Sequence, residues 1–400
     1  MRNIKMQLLF TVLVMAAGLV CFSFPTEAAS EAEESIVSVE DIKRKQLEKI
    51  DIEQISEHWQ KVVREYNSFL PESQKGSFRD FLDGDFSFSP KQWGQAFLRY
   101  LFHEVVANGQ LMGTLLLLAV FSAILKALQN AFEREAVSKA AYAVIFVILI
   151  VIALNSFYVA MDYVQDTVAN MVHFMIALLP LLLALLAASG SIVSAGIFHP
   201  LVILLVQVSG VLIQHVILPL LFLSAVLSIV SNMNEHVKVT KLAELLRHSA
   251  MGILAVFFTI FLGVISVQGV TTAVTDGITI RTAKFLAGNF IPVIGRMFTD
   301  AADTALGASV LLKNTVGIAG AGVLFVICAF PAIKVLVIGF IFHFTAAVIQ
   351  PLGEGQLLDA LSTLGKTVLA MFAALAAVSF MFFLALTLIV ASGNISLMVR

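Results

Sequence analysis

The sequence predicts an all-α fold: a polytopic helical membrane protein of about eight to ten spans with a small helical extracytoplasmic segment at its N-terminus. Three observations predict it. The chain is 59% hydrophobic and only 13% charged, where soluble domains hold about a quarter of charged residues; its mean hydropathy is +0.94. Several apolar runs reach the roughly 20 residues that cross hydrocarbon as a helix. None of them alternates with the period of two that a barrel strand requires. A net charge of -2 without a basic block gives no support for a nucleic-acid partner. With Cys21 in the N-terminal apolar segment and Cys328 in a later run, a processed chain keeps one cysteine. That rules out an internal disulfide and a zinc site built of cysteines.

Residues 1–29 read as a secretory signal: Arg2 and Lys5, an apolar core from Leu8 to Phe22, then Pro25 and Thr26-Glu27-Ala28-Ala29, with cleavage expected near Ala28. An uncleaved anchor is the alternative. Val20 before Cys21 is too large for a lipoprotein site. In either case the following segment begins outside the cytoplasm.

Residues 30–108 form the one sizeable polar stretch. Ile52, Ile55, Trp59, Val62, Val63 and Tyr66 recur at helical spacing and predict an amphipathic helix that stops by Leu70-Pro71. Ser89-Pro90 is an N-cap and first-turn pair for a second helix, with Trp93, Phe97, Tyr100 and Leu101 on one face and Asn108-Gly109 at its end. The expectation is a helical cap on the membrane surface, with a partner-docking domain as the alternative.

Residues 109–170 read as a first membrane hairpin, with spans at Leu111–Leu128 and Ala140–Met161. Lys126, Arg134 and Lys139 mark the loop between them as cytoplasmic; Asp162 and Asp166 mark the next as external. Residues 171–282 form a first membrane module. It holds a span at Met171–Ala188, a run at Ile197–Ser231 expected to break into two short spans at Gln214, His215 and Pro219, and a span at Ser249–Val270. Lys238, Lys241 and Arg247 place its amphipathic stretch inside.

Residues 283–400 form a second module. Its run Val316–Ile349 is expected to split at Pro331-Lys334, and Thr367–Ala391 is the last span. Pro180 and Pro292 are 112 positions apart, as are Pro219 and Pro331, so the second module reads as a possible duplicate of the first. If 285–298 crosses the membrane, the modules run parallel, with Lys313 and Lys366 both inside; otherwise the second half inverts.

Catalytic motifs fail. Gly365-Lys366-Thr367 lacks the earlier glycine of a phosphate-binding loop, since position 360 is Ala360. Gly317, Gly320 and Gly322 on an apolar helix read as close helix packing. His173, His199, His215 and His343 lack the i, i+4 pairing and carboxylates of a helical metal site. No catalytic, cofactor or metal residue is assigned.

The candidates for a pathway or subunit contact are Pro180, His199, Pro200, Pro292, Arg296, Asp300, Asp303, Lys313 and Lys334. Asp300 and Asp303 share a helical face, and a mid-membrane lysine such as Lys334 must pair, snorkel or face water. Its partners on the sequence are Asp300, Asp303 or Glu354. A self-sufficient secondary transporter with substrate near these groups is one functional reading.

Leu98–Gly109 (LRYLFHEVVANG), Val137–Phe157, Leu179–Pro200 and Ile291–Lys313 together resemble the stage III sporulation protein AE family. The resemblance implies a non-enzymatic, multi-pass component of a secretion-like channel complex. That complex would lie between mother cell and forespore, with the protein in the mother-cell (outer forespore) membrane. It implies as partners the other stage III A proteins, among them a secretion-type ATPase and ring-forming proteins, together with stage II sporulation protein Q across the intermembrane space. Support of late forespore gene expression is the expected role.

Overall fold

The computed structural model describes residues 53–71, 76–83, 89–131, 135–233, 238–290, 294–352 and 355–398. The predicted secretory segment, Pro292 and Glu354 lie outside them. The described residues form helices α1 (Glu53–Tyr66), α2 (Phe78–Asp83), α3 (Pro90–Ala107), α4 (Gly109–Ala131), α5 (Glu135–Ala188), α6 (Ile192–Leu212), α7 (Leu218–Met233), α8 (Thr240–Phe290), α9 (Ile294–Ile349) and α10 (Gln356–Met398).

The two N-terminal helices form as their periodicity predicts. Ile55, Trp59, Val62 and Tyr66 are the buried face of α1, and Trp93 and Tyr100 are on that of α3. Proline occupies the first turn of α3, where its missing N–H costs no bond. At the other end the Asn108 side chain donates to the Glu104 carbonyl at 2.9 Å. The chain then bends by 45° and continues as α4.

Five helices are long and apolar enough to cross a membrane: Ala140–Ala188, Ile192–Asn232, Thr240–Gln268, Leu306–Ile349 and Gln356–Ser392. The bent pair α3–α4 is a sixth. The count among described residues is thus five or six, not the eight to ten expected. The difference arises at three polar stretches that remain helical. Asp162–Asn170 is the middle of the 54-residue α5. Pro331 and Lys334 lie inside the 56-residue α9. Between α6 and α7 a single π turn, Ile213–Ile217, stands where the break was expected, and the Leu218 amide bonds the Ile213 carbonyl. Pro219 has no N–H to offer and its ring would crowd the His215 carbonyl in a regular helix. The wider turn absorbs that misfit.

The helices run alternately up and down. Tyr142 of α5 lies beside Ser122 of α4. Gly210 lies against Val172 and Phe157 against Phe222, which sets α6–α7 antiparallel to α5. Ser224 donates to the Ala243 carbonyl, and Ser231 meets Thr240, closing α7 against α8. Lys334 meets Tyr163, while Gly320 lies against Leu178, so α9 is antiparallel to α5. Cys328 meets Ser379, and Lys313 meets Val390, so α10 returns along α9.

Two corrections follow. The segment 285–298 divides between the end of α8 and the start of α9 and is no span of its own. The hairpins α6–α7/α8 and α9/α10 nonetheless start from the same end, because each interrupted run crosses once. Lys313 and Lys366 consequently lie toward opposite ends of the bundle.

Helix α9 is the centre, packed against α10, α5, α4 and α3. Close approach there depends on glycine. A Cβ at Gly317 would collide with Val390 on α10, and one at Gly320 would lie 2.5 Å from Leu178 on α5.

Candidate functional site

The polar side chains converge where α3 and α1 lie against the middle of α9 and α5. Phe330, fully buried on α9, is the anchor. Tyr66 of α1 stacks on it at 4.4 Å between ring centroids, and Tyr100 of α3 meets it edge-on at 4.9 Å. Phe97 completes the cage at 5.5 Å. One turn further along α9, the Lys334 ammonium donates to the Tyr163 hydroxyl at 2.6 Å. It also stands 3.9 Å from Glu104 Oε1. The second carboxylate oxygen of Glu104 accepts from Asn108 at 3.1 Å, and the Tyr100 hydroxyl lies beside this carboxylate. The Glu104 side chain is only 7% exposed and that of Lys334 25%. An acid this deep is stable when its oxygens are occupied.

The structure thus pairs Lys334 with Tyr163 and Glu104, neither of which is among the partners weighed from the sequence. The sequence did carry a signal for Glu104. It stands four residues after Tyr100 and eleven after Trp93, so a carboxylate occupies the buried face of an otherwise apolar stripe. Tyr163 gave no such signal.

Helix α1 makes a second polar contact with α5: Lys61 donates to Asn170 Oδ1 at 3.2 Å, and His58 meets Phe174 edge-on at 6.0 Å. Burial lowers the His58 pKa from its ordinary value, and the nearby His173 and Lys61 lower it further. Burial raises that of Tyr66, aided by Glu65, to which its hydroxyl donates at 2.8 Å.

The other predicted residues are dispersed. Pro180, His199 and Pro200 are exposed, on α5 and α6. Arg296, Asp300 and Asp303 occupy the first turns of α9. Asp303 and Lys334 are thirty-one residues apart on that helix, roughly 45 Å at the helical rise. They form no common site. Lys313 is fully buried, and its ammonium donates to the Val390 carbonyl on α10 at 2.8 Å. His343 lies beside Gly365, where a Cβ would strike its ring. Among the described residues no group of three His, Cys, Asp or Glu side chains is placed to hold a metal ion.

Long apolar helices that run alternately up and down and meet at the Glu104–Lys334 contact define a polytopic α-helical membrane protein. The family model for stage III sporulation protein AE matches residues 73–393. The chain is 53% identical over all 400 residues to the stage III sporulation protein AE of Bacillus subtilis (strain 168), with both chains covered in full. The chain belongs to the stage III sporulation protein AE family. No solved structure matches it. The family is named for a stage of sporulation and not for an enzyme class.

Proposed function

We propose that this chain is the non-enzymatic, multi-pass subunit of a secretion-like channel complex acting between mother cell and forespore. Family membership carries this reading. The working partners are other stage III A proteins, including a secretion-type ATPase and ring-forming proteins, with stage II sporulation protein Q reached across the intermembrane space. The protein sits in the mother-cell (outer forespore) membrane and supports late forespore gene expression.

Charge orients it. Lys126, Lys139, Lys238, Lys241, Arg247 and Lys366 lie on the helices at the end where α4 meets α5, α7 meets α8 and α9 meets α10. The segments that join successive crossings at the opposite end hold fewer, Arg281, Lys284 and Arg296. The first end is cytoplasmic under the positive-inside rule. Helices α1 and α3 then lie on the extracytoplasmic side, in agreement with a secretory start.

Deletion of the gene tests the reading. Sporulation should arrest after engulfment, and an affinity-tagged chain should co-purify with the other stage III A proteins. Normal spores from the deletion strain would overturn it. A self-sufficient transporter is the second reading, and solute flux by the purified chain in liposomes would establish it. The pairing of Lys334 with Glu104 and its distance from Asp303 weigh against that reading.

A further inference from the structure

The part of α4 that precedes its first charged residue, Lys126, is short for a bilayer. The seventeen residues from Gly109 to Leu125 rise roughly 25 Å, against about 30 Å of hydrocarbon, and Lys126 follows. Something must supply the missing length. The outward face of α3 changes character along its course. Lys91, Gln92 and Gln95 are exposed at its start. From Leu98 onward the same face presents Leu98, Phe102 and Val106, which are 57%, 64% and 78% exposed. Spaced four apart, these three form one stripe. Beyond the 45° bend, exposed apolar side chains continue on α4 with Leu117, Val120, Phe121 and Ile124. Arg99, beside the stripe, has a stem long enough to keep its charge at the interface.

From this we infer that the second half of α3 is the outer part of the first membrane crossing, its Leu98–Phe102–Val106 stripe covered by lipid acyl chains. The crossing runs from Leu98 to Leu125, bent at Asn108, and the extracytoplasmic part of the chain ends near Phe97 instead of at residue 108. Twenty-eight residues rise roughly 40 Å along the helix, which spans the hydrocarbon even after the bend. The buried face of this half-helix carries Glu104, so the Glu104–Lys334–Tyr163 contact lies within the outer half of this crossing. That acyl chains cover this stripe does not depend on which end of the bundle is cytoplasmic, nor on the channel reading.

Single cysteines at Lys91, Gln95, Leu98, Phe102 and Val106, in a chain with Cys21 and Cys328 replaced by serine, test it. The purified chain is reconstituted in phospholipid vesicles, which are opened so that a polar maleimide reaches both faces. Positions 91 and 95 should react readily, and 98, 102 and 106 at least tenfold more slowly. A bimane label attached in detergent at 102 should be quenched on reconstitution with phospholipids brominated on their acyl chains. Equal reaction at 95, 102 and 106 would overturn the inference in favour of a water-facing helix. Ready reaction in vesicles but protection in sporulating cells would overturn it in favour of a protein partner.

Discussion

Lys334 sits inside a mostly buried helix because two neighbours from other parts of the chain meet its ammonium: the Tyr163 hydroxyl and the Glu104 carboxylate. Removing one partner leaves the other buried without compensation, which costs about 1–3 kcal/mol. Glu104→Gln and Lys334→Ala should each lower the Tm of the detergent-solubilised protein. The double variant should cost less than the two single effects added, since the stranded charge is gone. Additive losses would show that the contact carries no coupling.

His58 supplies a pH dependence at the same scale. Its folded pKa lies below the ordinary 6.5, chiefly through burial. The fold therefore favours the neutral ring, and the α1–α5 contact is fully stable above that value. As pH falls below 6.5 the unfolded form takes up the proton first, and the contact weakens. Limited proteolysis of α1 should accelerate between neutral pH and mildly acidic pH, and His58→Gln should flatten the response. These pairings were not legible in the sequence. Neutralising partners 171 and 230 positions away leave no local pattern, although Glu104 on an apolar face announced that a partner existed.

Among elements, the hairpin of α9 and α10 makes the firmest statement of register. Cys328 Sγ and Ser379 Oγ stand 2.6 Å apart. Ser379→Cys should place two thiols within reach of a disulfide, and mild oxidation should join the helices, as mass spectrometry of the digested protein would reveal. Absence of that cross-link would contradict the register. Gly317 tests the same packing by excess volume. The stiff, β-branched Val390 fills the space its side chain would need, so Gly317→Leu should cost about 1–3 kcal/mol, read as a lower Tm.

The apolar runs and the amphipathic periods of α1 and α3 could be read directly, because burial imposes them on local sequence. The continuity of α5 and α9 could not. A window of polar residues such as Asp162–Asn170 looks like a turn until the groups that satisfy it are known. Lys61 reaches Asn170 from α1, and Lys334 reaches Tyr163 from α9. Pro219 did mark an irregular place, a π turn, as its missing N–H dictates. The break expected at Pro331 did not form, since that residue lies within a continuous helix.

For the whole molecule, the alternation of helices fixes which connections share a face of the membrane. A six-crossing arrangement, which counts the bent pair α3–α4 as one crossing, puts the turns after α4, α7 and α9 on one side and those after α5 and α8 on the other. Its most direct test is side-specific labelling of single cysteines at Lys91, Ile192, Lys238 and Gly355 in intact cells, using a membrane-impermeant maleimide. Positions 91 and 192 should react from outside, and 238 and 355 only after the cells are opened. Labelling of 192 and 238 from the same side, or of 238 and 355 from opposite sides, would contradict the account.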